Sequence, residues 1–189
     1  MTFEGAPYTV CEVAAGADVR VFHTAPDGAI YGSFDRVAAA VAAGGGRLAF
    51  AMNGGMYHAD RSPVGLLIED GARRAPAVTA AGPGNFGMLP NGVFCVMDGR
   101  FAVIETRRYA ARPPACRHAT QSGPMLVISG ALHPRFIPGS PSRYIRNGVG
   151  VSADGRRAAF VIADARVSFD AFARLFRDGL GMPDALYFD

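Results

Sequence analysis

The stretch VFCVMDGRFAVIE, residues 93–105, places Asp98 and Gly99 between two apolar runs. Asp-Gly readily adopts the backbone angles of a two-residue hairpin turn, so this pattern predicts a pair of antiparallel strands. The same arrangement occurs in VGLLIEDGARR at 64–74 and in VGVSADGRRAAFVIA at 149–163. These three hairpins indicate an antiparallel or mixed β-sheet.

Two amphipathic segments predict helices that cover this sheet. Ser33 can cap the segment FDRVAAAVAA, which the glycines at 44–46 end, and Ser168 can cap FDAFARLFRDGL, which ends at Gly179 or Gly181. Hairpins combined with two helices indicate the α+β class.

Further apolar runs predict additional strands. They are expected at Tyr8–Ala14, Asp18–His23, Leu48–Met52, directly after Pro124, and at the terminal ALYF of 185–188, with a turn at Pro26-Asp27-Gly28.

The composition is typical of a single globular domain over residues 1–189. All 19 basic residues are arginines, and they are scattered, so nothing favours a nucleic-acid partner. No apolar run reaches the roughly 20 residues of a membrane span. The cysteines Cys11, Cys95 and Cys116 form no CxxC motif, so we expect buried thiols rather than a zinc site.

The N-terminal segment MTFEGAPYTV lacks the basic and apolar regions of a signal peptide. We expect an exported, periplasmic protein whose signal has been removed, with a cytoplasmic protein as the alternative.

Polar residues concentrate at a glycine turn in LAFAMNGGMYHADRSPVG, residues 48–65. Asn53-Gly54-Gly55 ends an apolar run, and Tyr57, His58, Asp60 and Arg61 follow it. Such a turn is a common place for a binding site, although a polar turn without chemistry is an equal alternative. A second concentration lies at Gln121-Ser122-Gly123, but Ser122 has no GxSxG elbow around it.

Six short motifs occur in one order along the chain: NGGMY at 53–57, PVGL at 63–66, GNFGMLPNGVF at 84–94, QSGPMLV at 121–127, YIRNGVGV at 144–151 and ALYFD at 185–189. Together they resemble the phosphodiester glycosidase family, which includes the mannose 6-phosphate uncovering enzyme, and its compact bacterial branch in particular. The resemblance implies a hydrolase acting on a sugar whose anomeric carbon is linked through a phosphodiester, with a carbohydrate or sugar-phosphate substrate and no cofactor or metal.

The resemblance also implies the site residues. It places eight residues at the site: Asn53, Gly54, Gly55, Gln121, Ser122, Gly123, Arg146 and Asp189. We expect catalytic roles for Asp189, Arg146 and Gln121. The expected substrate-binding residues are Asn53, Gly54, Gly55, Tyr57, Ser122, Gly123, Arg143 and Asn147. The sequence departs from the family pattern at Met56, which separates the double glycine from the aromatic Tyr57. Because the family continues past its last aspartate, we expect this chain to be truncated at the C-terminus.

The expected chemistry needs a cation for the phosphate and a carboxylate for the anomeric carbon. An arginine fork fits two phosphate oxygens, so Arg146 is the candidate, with Arg143 as a second or a plain surface residue. Asp189 is the expected base or nucleophile, and the alternatives are Asp164 and Asp60. We expect Asn53, Gln121, Arg146 and Asp189 to converge on one cleft.

Two alternatives to this chemistry stay open. Gln121 could instead be a buried structural amide. The chain as a whole could be a non-catalytic module that binds glycans or sugar phosphates, which would need no carboxylate in position. A metal-dependent hydrolase is less favoured, because no His/Asp cluster has ligand spacing.

Overall fold

A computed structural model describes all residues from 1 to 189. Its strands are β1 (Thr2–Phe3), β2 (Ala6–Ala14), β3 (Leu67–Glu69), β4 (Ala72–Ala75), β5 (Gly92–Met97), β6 (Arg100–Glu105), β7 (His118–Ser122), β8 (Met125–Ile128), β9 (Ala131–Leu132), β10 (Asn147–Val151), β11 (Arg157–Ala163) and β12 (Asp184–Tyr187). Its helices are α1 (Phe34–Ala43), α2 (Thr106–Ala111) and α3 (Phe169–Arg174), and a π-helical turn, Leu175–Gly179, extends α3.

The strands form two antiparallel sheets. One sheet has seven strands in the order β1-β2-β11-β10-β12-β8-β9, and the other has five in the order β4-β3-β7-β5-β6. The α+β prediction is confirmed. All three Asp-Gly hairpins are present as β3–β4, β5–β6 and β10–β11. In the first turn Asp70 and Gly71 both have positive φ, 48° and 76°, as the hairpin rule requires.

The two sheets pack face to face around an aromatic core. Phe94 and Phe101 of the five-stranded sheet meet Phe160 and Leu186 of the seven-stranded sheet. The outer face of the larger sheet is covered by α3 and the π-helical turn, which bury residues such as Phe172. No helix of the structure is long and apolar enough to cross a membrane.

Both predicted helix caps are present. The Ser33 hydroxyl accepts a hydrogen bond from the Arg36 amide at 3.4 Å, and the Ser168 hydroxyl accepts one from the Ala171 amide at 3.1 Å. The two helices differ in burial, since α1 buries only Val37. The expectation that both helices cover apolar sheet faces is thus met by α3 alone.

Two predicted strands are wrong. Residues 18–23 and 48–52 run without strand pairing. Their apolar side chains pack against the sheets instead, and the ring centroid of Phe50 lies 5.1 Å from that of Phe160. An apolar run indicates that a segment is buried. Here the side chains are buried by packing against the sheets, although the segments form no strand.

The expectation of buried thiols is also wrong for two cysteines. Cys95 of β5 and Cys116 form a disulfide that closes 21 positions of sequence, and Cys11 is the free cysteine. The bond ties the segment after α2 back onto the five-stranded sheet.

Candidate functional site

Three residues from distant parts of the sequence meet where β10 begins and β12 ends. The Asn147 side-chain amide donates to Asn53 Oδ1 at 2.5 Å, and the Asp189 backbone amide donates to Asn147 Oδ1 at 3.1 Å. Asn53 Nδ2 lies 3.5 Å from the Asp189 carbonyl oxygen, across 136 positions of sequence. β10 and β12 are antiparallel neighbours, so the start of one strand lies beside the end of the other. The pair of asparagines therefore holds the chain at Asp189.

Arg146 lies next to this contact and is a buried cation. Only 2% of the residue is exposed. Its Nε donates to the Val167 carbonyl at 3.0 Å, and its guanidinium carbon stacks 3.5 Å from the ring centroid of Phe169. No carboxylate lies within salt-bridge distance of it. Burial lowers the pKa of Arg146, which reflects the cost of keeping a desolvated charge without an anionic partner.

Tyr187 connects the cation to the carboxylate. Its hydroxyl lies 3.3 Å from Asp189 Oδ1, and its ring centroid lies 5.7 Å from the guanidinium carbon of Arg146. Burial, with a further contribution from the charge of Asp189, raises the pKa of Tyr187 to about 12. The hydroxyl is therefore protonated at neutral pH and donates its hydrogen bond to the carboxylate.

The site straddles the end of the larger sheet. Alternate residues of a strand face opposite sides, so Tyr187 faces the outer core while Phe188 faces the space between the sheets. The segment containing Asn53 passes over this end, since Met52 packs on the inner core and Met56 on the outer one. Asn53 and Arg146 make no direct contact, and Asp189 lies between their two contact networks.

A cavity of about 560 Å³ opens beside Asn53 on the inner side. Asn53, Gly54, Gly55 and Phe188 contribute to its wall. Most of its other lining side chains are apolar or aromatic. A site with a few polar groups at the border of an apolar cavity has the usual composition of a small-molecule binding site.

A sequence profile of the phosphodiester glycosidase family matches residues 46–189, which contain every residue of this site. The chain belongs to the phosphodiester glycosidase family. The resemblance seen in the sequence is thereby confirmed.

Two proteins illustrate the similarity. The chain is 35% identical over 144 residues to the uncharacterised protein YigE of Escherichia coli, covering 76% of this chain and 56% of that protein. It therefore spans little more than half the length of that relative. It also resembles the catalytic domain of zebrafish N-acetylglucosamine-1-phosphodiester alpha-N-acetylglucosaminidase, solved in a form auto-inhibited by its pro-peptide. There the identity is 16% and the TM-score 0.47, over 72% of this chain and 49% of that one.

Gln121 occupies a different place from the one expected of a catalytic group. Its side-chain oxygen accepts from the amides of Leu66 and Val78, both at 3.0 Å. Its side-chain nitrogen donates to the Val78 carbonyl at 2.7 Å and to the Thr106 hydroxyl at 3.2 Å. These four bonds use the whole hydrogen-bonding capacity of the amide. The geometry therefore favours the structural alternative for this member of the family motif.

Its neighbours Ser122 and Gly123 are likewise used within the fold. The Ser122 hydroxyl donates to the Phe188 carbonyl at 2.9 Å, so it fixes the residue before Asp189. A Cβ at Gly123 would lie 2.6 Å from the Cβ of Asn91, so only glycine fits there. Both residues hold neighbouring backbone in place, which differs from the direct substrate contact that the resemblance implied.

The double glycine packs closely against β7. A Cβ at Gly55 would lie 2.0 Å from the Gln121 carbonyl oxygen, and the Gly55 amide donates to the Thr120 hydroxyl at 2.9 Å. That amide is therefore not free to bind a substrate, which differs from the substrate-binding role expected of Gly55. Gly54 has more room, because a Cβ added there would lie 3.5 Å from its nearest neighbour, the Thr120 side chain.

The remaining candidates lie apart from Asp189. Tyr57 is half exposed at the cavity wall, with the guanidinium of Arg61 5.3 Å from its ring centroid. Arg143 lines a separate cavity of about 180 Å³. Asp164 accepts from the Thr9 hydroxyl at 3.1 Å, and Asp60 accepts from the Ser62 hydroxyl at 2.6 Å. Neither alternative carboxylate contacts the asparagine pair.

Sequence reasoning missed Tyr187 and Phe169 as site residues. The signal for Tyr187 was present, because residues two apart on a strand share a face, and Asp189 follows it by two. Phe169 carried no such signal, since its contact with Arg146 depends on how α3 packs against the sheet. No group of three or more His, Cys, Asp or Glu side chains is placed to hold a metal ion.

Proposed function

We propose that the protein hydrolyses the bond between a sugar's anomeric carbon and a phosphodiester. The observation that carries the proposal is the buried guanidinium of Arg146, which has no carboxylate partner and is connected through Tyr187 to Asp189. A desolvated arginine without an anion favours binding one, and a phosphodiester supplies it. Membership of the family supports the same chemistry.

In this proposal Arg146 stabilises the negative charge that grows on the departing phosphate. The bond from the anomeric carbon to the phosphate oxygen breaks, the bonding electrons stay with the oxygen, and a phosphate monoester leaves. Charge stabilisation of this type acts through donors that are already in position, and the Phe169 ring fixes the plane of the guanidinium. The transition state at the sugar has oxocarbenium character.

Asp189 supplies the carboxylate for the anomeric carbon. It acts either as a base that takes a proton from the attacking water or as the nucleophile whose ester water then hydrolyses. Tyr187 positions the carboxylate through its hydrogen bond, and Asn53 and Asn147 position the backbone at Asp189. Gln121 has no part in the chemistry in this account.

We also propose that the protein works in an oxidising, exported location. The disulfide between Cys95 and Cys116 supports this, because such bonds persist outside the reducing cytosol. Free-thiol titration of protein isolated from its native compartment tests it, since two protected cysteines are expected there and a fully reduced protein would oppose export.

The test of the activity is incubation with a sugar-1-phospho-6-sugar diester while free sugar is measured. Asp189→Asn should abolish release, because it keeps the shape but removes the charge. Asp164→Asn is the matched control and should retain release, since Asp164 lies apart from the site. All variants should carry the same short neutral C-terminal extension, so that the terminal carboxylate cannot replace the lost side chain.

Two outcomes contradict the assignment. Full activity of Asp189→Asn would move the carboxylate role to another residue. Tight binding of the diester without release of sugar by the native chain would support the binding-module alternative instead.

A further inference from the structure

The cavity beside Asn53 takes no part in the hydrolysis proposed above. It occupies about 560 Å³ and shares Asn53, Gly54 and Phe188 with the edge of the candidate site. Whatever binds at Asp189 therefore lies next to the opening of a large chamber.

The lining of this chamber suits hydrocarbon. Half-buried apolar side chains form much of its wall, among them Phe22, Leu48 and Met52. Behind them Phe94 lies 5.5 Å from Phe160 and 6.2 Å from Phe188, measured between ring centroids. Phe50 and Val37 add further apolar surface. Several polar side chains of the lining are already paired within the protein, Asp18 with Arg20 and Thr120 with the Gly55 amide. An apolar chain gains free energy from contact with the apolar remainder of the walls.

Polar side chains also line the cavity, namely Asp18, Arg20, His23, Ser33, Asn53, Arg61, Thr120 and Gln121. Arg61 stacks over Tyr57 and donates to the Gly32 carbonyl at 3.1 Å. No carboxylate lies within salt-bridge distance of Arg61. Asn53, at the border of the cavity, offers its amide to the polar end of a ligand whose remainder is apolar.

The helix over the chamber has the same character. α1 contributes Phe34 and Val37 to the cavity, and Val37 is its one buried residue. Phe34 is 55% exposed. The helix thus contributes Phe34 and Val37 to the apolar surface of the cavity.

We propose that this cavity binds the hydrocarbon chain of a glycolipid in which a phosphodiester joins the sugar to the chain. The inference names the substrate class for the proposed hydrolysis and rests on it. In this arrangement the phosphate lies between Asp189 and Arg146, and the alkyl or prenyl chain passes Asn53 into the cavity.

The test is a series of sugar-1-phosphate diesters whose second ester runs from ethyl to decyl, all kept below micelle-forming concentration. Calorimetry on the full chain should show affinity rising roughly fourfold for each methylene added until the cavity is full. A prenyl diester with as many carbons as the decyl compound shows whether branched or linear chains bind better, and tight binding of either supports the proposal.

A matched pair of variants tests whether the hydrocarbon chain of the ligand lies in the cavity. Val37→Trp fills the cavity and should remove the dependence on chain length, while Val41→Trp changes the same helix outside the cavity lining and should leave it intact. Affinity that does not change with chain length in the native protein, or that still rises in Val37→Trp, would overturn the proposal.

The result also separates the two proposals. If the longer diesters bind more tightly but no member of the series releases sugar, the cavity assignment stands and the proposed hydrolysis fails. If the ethyl and decyl diesters bind equally and release sugar equally, the hydrolysis stands and the cavity assignment fails.

Discussion

Replacing Gln121 by leucine should destabilise the protein without removing a catalytic group. Leucine is apolar and one atom shorter than glutamine, and it cannot form any of the four hydrogen bonds that the amide makes. Those bonds join β7 to the segment at Leu66, to Val78 and to the start of α2 at Thr106. The substitution therefore leaves polar groups of three separate segments without partners.

The size of the loss in stability depends on which of the former partners of Gln121 water can reach. The Leu66 amide and the Thr106 hydroxyl belong to buried residues, whereas Val78 is half-buried. Each buried polar group left without a partner costs roughly 1–3 kcal/mol, so the two together cost about 4 kcal/mol. For a chain of this length that corresponds to a fall of roughly 10 °C in the melting temperature.

Thermal unfolding measured by circular dichroism gives this value, and sugar release is measured in parallel well below the transition. Thr106→Val is the matched control, since it removes only one of the four bonds and should cost about 1 kcal/mol. The structural account predicts that folded Gln121→Leu retains most of its turnover. A variant with native melting temperature and a hundredfold loss of turnover would refute it and restore the catalytic role.

Three further predictions concern stability. Burial lowers the pKa of His118 and of His133, so the unfolded chain binds more protons than the folded chain just below pH 6.5. The free energy of unfolding measured in urea titrations should therefore fall as the pH drops from about 6.5 toward 5, and a flat profile would contradict this. Reducing the disulfide, which closes 21 positions, should cost about 3 kcal/mol, and an unchanged urea midpoint in dithiothreitol would oppose it. Gly55→Ala should greatly lower the melting temperature because its Cβ would meet the Gln121 carbonyl oxygen, whereas Gly54→Ala should be tolerated; equal effects would show that the close packing is misassigned.

The features that could be predicted from sequence are those set by neighbouring residues. The Asp-Gly pairs mark the three hairpins because a turn depends on a few adjacent residues, and in the β3–β4 turn both residues of the pair have positive φ. The serine caps fix the starts of α1 and α3 for the same reason. The strand-end position of Asp189 also follows locally, from the apolar run before it.

The features that could not be predicted depend on packing between distant segments. The partners of Gln121 at Val78 and Thr106 come from loops whose positions the local pattern does not determine. Three cysteines allow three pairings, and only the fold brings Cys95 to Cys116.

The most direct test of the site is the response of Arg146→Lys to two substrates, a sugar phosphodiester and an uncharged aryl glycoside of the same sugar. Lysine keeps the charge but loses the planar fork and the stacking on Phe169. We expect a loss of about 10²- to 10³-fold in turnover of the phosphodiester and little change with the aryl glycoside. An equal loss with both substrates, or none with either, would contradict the assignment of Arg146 to the departing phosphate.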